Sequence, residues 1–247
     1  MAVTDVAKWP CPMTLFETNH STGEVSLGRL LQALPCGSRD PGLTVPELVE
    51  CIAVGGWPGN LNLTTKQSLR SVRDYLEEIR RVDIRRVDGT DRNPEKVGRL
   101  LRSKSRLRNS QKLYFVDPSL AVAALRADPD RLLADLNLLG FLFESLVIRD
   151  LRVYAQAADA SVFQYRDNTG LEVDAIVEAA NGQWAAFEIK LGASRIDEAA
   201  TNLLRFTERV DTERTAKPAA LAVITGTGYG YVRDDGVAVV PIGALGP

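Results

Sequence analysis

The spacing of apolar positions changes period near residue 160, after a shift of composition near residue 130. Before that point they recur every three or four residues. Leu69, Val72, Leu76 and Ile79 share one face of a helix predicted over 65–82, and Glu and Arg occupy the other. A helix is also predicted over 46–54, opened by Thr44 as cap and Pro46 in its first turn. It is closed by Gly55-Gly56-Trp57-Pro58-Gly59, where glycine permits positive φ. A shorter helical stretch is predicted over 27–34. The rest of 1–43 is rich in Pro, Gly, Ser and Thr and reads as an arm outside the core. Residues 112–118 read as a strand stopped by Asp117-Pro118, after which 119–126 restarts a helix.

Beyond 130 a long helix is predicted over 131–156, with Leu132, Leu136, Leu139, Phe143, Leu146, Val147 and Leu151 as a wide apolar stripe. The period then falls to two over 161–166, 171–178 and 184–190, the last two joined by Asn181-Gly182, a strong hairpin signal. Helix returns over 196–210, and strands follow over 219–224, 229–233 and 237–241, with Asp235-Gly236 as a turn. The chain therefore divides into an arm (1–43), a helical region (44–129) and a domain over 130–247. The class is α/β (α+β), a helical N-terminal half followed by a mixed sheet flanked by helices.

Composition narrows the chemistry. The 247 residues carry 30 Lys and Arg against 32 Asp and Glu, a formal charge of -2, so no global basic field holds nucleic acid and phosphate binding must be local. With His20 as the single histidine and Cys11, Cys36 and Cys51 far apart, most zinc sites and histidine-dependent triads drop out. Carboxylates, lysine and hydroxyls remain. The unpaired cysteines and the absence of a signal-like start or a long apolar run point to a cytoplasmic protein without a membrane partner. The strongest basic stretch holds Arg99, Arg102, Lys104, Arg106, Arg108 and Lys112, with no acid among them, and is the candidate nucleic-acid contact.

Candidate catalysis lies in the hairpin. Alternation puts Leu171, Val173, Ala175 and Val177 on one face of the 171–178 strand and Glu172, Asp174, Ile176 and Glu178 on the other. Asp174 stands mid-strand, where a carboxylate costs several kcal/mol to bury, on the order of a lost charged hydrogen bond or more, unless a cation meets it. On the next strand Glu188 and Lys190 are two apart and share a face. Two hard carboxylates beside an ammonium are the inventory of a Mg²⁺-dependent phosphodiester hydrolase: the acids hold the metal, which activates a water, and the lysine orients it or steadies phosphoryl charge. Glu144, the acid inside the apolar run Gly140-Phe141-Leu142-Phe143-Glu144, reaches the metal or its water shell if its helix packs on this sheet. The candidate catalytic set is Glu144, Asp174, Glu188 and Lys190, and the metal set is Asp174, Glu188 and Glu144. Ligands each ~2.1 Å from Mg²⁺ would bring the Asp174 and Glu188 carboxylates to roughly 4–5 Å.

Glu144 in a helix, Asp174 in one strand and Glu188-Ile189-Lys190 in the next resemble the PD-(D/E)XK nuclease superfamily, with its restriction-endonuclease-like fold. The ordered blocks Gly55-Gly56-Trp57-Pro58, Asp74-Tyr75-Leu76-Glu77-Glu78-Ile79, Lys112-Leu113-Tyr114-Phe115-Val116-Asp117, Gly140 to Glu144 and Arg166-Asp167 through Lys190 resemble, from about Pro12 onward, the C-terminal half of bacterial AAA-type ATPases that carry a domain of unknown function. Two departures qualify the resemblance. No G-x-x-x-x-G-K-[ST] occurs, so ATP is not expected as a cofactor, and Pro12 to Glu17 resembles only the closing strand of the nucleotide-binding module. The winged-helix-like region of such proteins is also shortened, with Arg102-Ser103 running straight into Lys104. The resemblance implies the back half of a larger design, with nucleic acid, an ATPase or a second copy as partner. A non-catalytic interaction or regulatory module is the rival expectation.

Overall fold

Each early helix begins where its side chains close the exposed backbone donors. Thr44 and Glu47 form a reciprocal capping box, Glu47 accepting from Thr44 N at 2.8 Å, at the start of α2 (Val45–Val54). Thr64 and Gln67 do the same for α3 (Thr65–Glu78), with the return bond at 2.9 Å. The computed structural model describes residues 12–34, 36–79, 114–211 and 215–247. In these, β1 (Val25–Ser26) and α1 (Leu27–Leu31) precede α2 and α3, and α4 (Ser119–Leu125), α5 (Pro129–Ala134) and α6 (Leu136–Ala157) follow. The sheet region comprises β2 (Ala160–Arg166), β3 (Glu172–Ala179), β4 (Trp184–Lys190), α7 (Ile196–Thr207), β5 (Ala220–Thr225), β6 (Tyr231–Val232), β7 (Ala238–Pro241) and β8 (Leu245–Gly246).

The main sheet has six strands in the order β2-β3-β4-β5-β7-β6. The β2, β3 and β4 neighbours are antiparallel, β4, β5 and β7 run parallel, and β6 returns antiparallel to β7. The β3–β4 hairpin turns at Asn181-Gly182, where Gly182 has φ 82°. One sheet face, with Ala175, Val177, Phe187, Ile189 and Ile224, buries against α6 through Leu139, Phe143, Leu146 and Tyr154. The other, with Val173, Trp184, Ala186 and Val223, buries against Ala199, Ala200, Leu203 and Phe206 of α7. The result is an α/β layered domain with a mixed sheet between helices.

Three expectations are corrected. The stretch read as an arm buries Leu15, Val25, Leu27, Leu30 and Leu31 in the same core as α6 and the sheet, because β1 pairs in parallel with β8, Val25 opposite Leu245. Local Pro and Gly content does not register a strand partner more than two hundred residues away. The helix expected over 131–156 is broken at Asp135, which ends α5 and then caps α6 by accepting from Leu138 N at 3.0 Å, so Leu136 is exposed rather than part of the apolar stripe. Within the segment expected as a strand over 112–118, the described residues 114–118 form turns instead. There Asp117 accepts from Ser119 N and Gly56 N, each at 2.9 Å, and the side chain rather than a ladder organises the backbone.

Asp117 belongs to a buried ion cluster that ties four segments together. Arg149 of α6 donates to Asp117 at 2.8 Å and to Asp150 at 2.7 Å, with all three side chains buried. Asp150 in turn accepts from Leu15 N at 3.0 Å. Burial pushes the Asp150 carboxyl up while Arg149 pulls it down. For Arg149 the burial penalty is outweighed by Asp150 and Asp117, which hold it above its ordinary value. The glycines of the Gly-Gly-Trp-Pro block make room for this docking. A Cβ on Gly56 would fall 2.0 Å from the Met13 carbonyl oxygen, so residue 56 has no space for a side chain.

Candidate functional site

The strand alternation expected for 171–178 breaks at Asp174. Phe163 pairs with Ile176, but Tyr165 pairs with Val173, so β3 carries an extra residue here. The bulge sends Leu171 and Val173 to the α7 side and Ala175 and Val177 to the α6 side, which corrects the expectation that all four share a face. The β3–β4 ladder runs from Glu178 opposite Trp184 to Ala175 opposite Phe187 and goes no further. Past that point the Asp174 carboxylate takes the place of the missing ladder, accepting from Ile189 N at 2.9 Å. A carboxylate is tolerated mid-sheet because the strands part there and supply a donor.

Lys190 completes the cluster. Its Nζ lies 3.2 Å from Asp174 Oδ2 and 2.6 Å from Glu188 Oε2, so one ammonium is shared by two acids on neighbouring strands. Asp174 and Glu188 are buried, while the Lys190 side chain keeps 23% exposure. Burial, reinforced by the adjacent Asp174, pushes Glu188 up to about 7. Burial alone would lower Lys190, but the two carboxylates outweigh it and hold the amine above its ordinary value, charged at neutral pH.

Two residues that sequence reasoning missed hold candidate acids. Asn202 of α7 donates through Nδ2 to Glu188 Oε1 and to the Glu172 carbonyl, both at 2.7 Å, fixing one oxygen of Glu188 while Lys190 takes the other. Its signal in the sequence is an amide set among the sheet-facing Ala199, Leu203 and Phe206. Tyr114 Oη donates to Glu144 Oε1 and accepts from Gln164 Nε2 at 2.7 Å. Burial first, then the Glu144 carboxylate, keeps this phenol protonated.

The structure thus brings Asp174, Glu188 and Lys190 together and seats buried Glu144 on Tyr114. Among the described residues no group of three or more His, Cys, Asp or Glu side chains is set to hold a metal ion, so the acids form a pair and a neighbour. Arg99, Arg102, Lys104, Arg106, Arg108 and Lys112 lie outside the described residues.

Residues 139–245 match DUF4143, a domain of unknown function. The DUF4143 match takes in α6 from Leu139 onward, the whole six-stranded sheet and every member of the Glu144, Asp174, Glu188 and Lys190 set, and leaves the N-terminal helices outside it. No curated protein and no solved structure matches the chain. No helix among the described residues is long and apolar enough to cross a membrane.

Proposed function

We propose that the domain is a PD-(D/E)XK-like, divalent-cation-dependent phosphodiester hydrolase acting on nucleic acid, with no ATP requirement of its own. The observation that carries this reading is the Asp174–Lys190–Glu188 cluster at a break in the β3–β4 ladder. Net charge there is negative, and both acids present hard oxygens. Mg²⁺ is bound through one or two carboxylates and keeps several waters, so this donor pair fits it without a third protein ligand. Asp174 and Glu188 would hold the cation, which supplies an acidified water for attack on phosphorus. Lys190 supplies a compact positive charge for the phosphoryl oxygens, and Glu144 faces the water shell. The basic run over 99–112 supplies the phosphate-backbone contact.

Two measurements test the reading. Calorimetry should show Mn²⁺ binding that is lost in the Asp174→Ala, Glu188→Ala double variant. Supercoiled plasmid should be nicked with Mg²⁺ or Mn²⁺ and left intact by Lys190→Ala. A wild type with neither cation binding nor nicking assigns the fold to a non-catalytic module that docks on an ATPase or a second copy. Asn202→Leu should weaken Mn²⁺ binding by about 10-fold, the usual cost of losing a residue that orients a metal ligand. Unchanged Mn²⁺ affinity would remove Asn202 from the site.

A further inference from the structure

The turn from β5 to β6 runs Gly226-Thr227-Gly228-Tyr229-Gly230, and a second tyrosine, Tyr231, opens β6. Tyr229 is 65% exposed and Tyr231 38%, and neither belongs to the buried clusters on the two faces of the sheet. Their ring centroids lie 6.1 Å apart, with the planes tilted by 50°. The backbone beneath them is fixed. Gly230 N donates to the Ser38 carbonyl at 3.0 Å, and Ser38 N donates back to the Gly230 carbonyl at 3.2 Å. A Cβ on Gly230 would stand 2.6 Å from Ser38 Oγ, so a glycine between the tyrosines lets the turn close on residue 38. Two large rings kept in solvent by a pinned backbone add little to the core, and such residues on a held turn point to a ligand.

The sheet register places the pair beside the charged cluster. Glu188 pairs with Val223, Val223 with Val239 and Val239 with Tyr231, so Tyr231 ends a row that starts at Glu188. Strands ~4.8 Å apart make that row about 14 Å long. Residues paired across strands share a face, which puts Tyr231 and Glu188 on the α7 side, where Val223 and Val239 pack. The turn itself starts at the cluster: Thr225 pairs with Lys190, and Gly226 N donates to the Leu191 carbonyl at 3.2 Å. Arg233 is taken up by Asp197 and Asp235. Arg39, next to Ser38, is exposed and makes no ion pair among the described residues, Glu24 accepting only from its backbone N–H.

We propose that Tyr229 and Tyr231 form a stacking platform for the unpaired bases of single-stranded nucleic acid, whose backbone is thereby led to Asp174, Glu188 and Lys190. The chemistry at the far end of that strand rests on the hydrolase reading above. Every base has a π-face, so two exposed rings hold an unpaired strand without reading its sequence, whereas a duplex keeps those faces in its own stack. The separation of about 14 Å is spanned by a few nucleotides. Arg39 supplies a positive charge beside the pair for the phosphate backbone.

The test is fluorescence anisotropy of a labelled oligothymidylate of about 12 nucleotides, and of a blunt duplex of the same length, titrated with the full chain in EDTA so that no cleavage intervenes. The Tyr229→Ser, Tyr231→Ser double variant should bind the single strand at least about 10-fold more weakly and the duplex within about twofold of wild type. The Tyr229→Phe, Tyr231→Phe double variant keeps both rings and should stay within about threefold of wild type for each probe. Tyr229→Ser alone, which leaves β6 intact, should still cost about fivefold in single-strand affinity. Unchanged single-strand affinity in both serine variants, an equal loss for the duplex, a phenylalanine pair as weak as the serine pair, or a wild type that does not bind the oligothymidylate would each overturn the platform. Plasmid nicking keeps the two readings apart. Ring-dependent binding by a wild type that nicks nothing with Mg²⁺ or Mn²⁺ upholds the platform as a binding site and overturns the hydrolase reading. Nicking by a wild type whose serine variants keep full single-strand affinity overturns the platform alone.

Discussion

Arg149→Leu is expected to lower the unfolding free energy by about 3–5 kcal/mol, the cost of stranding buried charges by removing their partner. The substitution leaves Asp117 and Asp150, both fully buried, facing each other without the guanidinium that separates them. Their remaining donors, Gly56 N, Ser119 N and Leu15 N, are neutral amides and do not cancel two negative charges. The loss should depend on pH with a definite sign. Burial already pushes Asp150 up, and Arg149 is the main influence pulling it back. Without Arg149 the folded-state carboxyl binds its proton more tightly than the unfolded one does. The penalty is then full above the folded pKa and shrinks as pH falls through it. Urea melts of wild type and Arg149→Leu at pH 5 and pH 8 should therefore differ less at pH 5. A difference that is equal at both pH values, or below about 1 kcal/mol, would show that the cluster is hydrated enough to do without its cation.

Lys190→Ala is expected to reduce nicking by about 10³-fold while leaving cation binding intact or tighter. A preorganised cation at a reacting oxygen is worth roughly that factor, and the same ammonium occupies both carboxylates when no metal is present. Removing it opens the pair to a divalent ion. It also leaves two acids side by side with nothing between them, so the metal-free variant should melt below wild type and recover when Mn²⁺ is added. Calorimetry, thermal melts with and without EDTA, and plasmid nicking check the three parts. Nicking that survives in Lys190→Ala would remove this cluster from the chemistry. Weaker Mn²⁺ binding would mean that Lys190 builds the site rather than competing for it.

The hairpin and its charged face were legible because period two and Asn-Gly are local signals: Glu188 and Lys190 share a face in β4, as their spacing requires. The split of Leu171 and Val173 from Ala175 and Val177 was not, since a bulge is decided by the pairing with the neighbouring strand, where Gln164 stands opposite the extra residue. Asn202 and Tyr114 were missed for a related reason. Their roles depend on which side chains α7 and the turn before α4 meet in space. Arg149 and Asp150 look like consecutive surface charges, and consecutive helix residues ordinarily diverge. Only the arrival of Asp117 and of the 12–15 backbone makes them a buried cluster. The break at Asp135 was within reach, because Asp before Leu136-Asn137-Leu138 is an ordinary N-cap placement.

The pairing of β1 with β8 has a consequence for how the chain is made. Val25 leaves the ribosome before Leu245 and meets its strand partner only when that residue has followed it. Leu15, Leu27 and Leu30 share the finished core with α6 and the sheet, so their set of neighbours is complete only once the strand at 245–246 has been made. A nascent chain stalled before residue 245 should lie open at its N-terminal end to proteases and chaperones, although its α6 and sheet residues up to that point are already present.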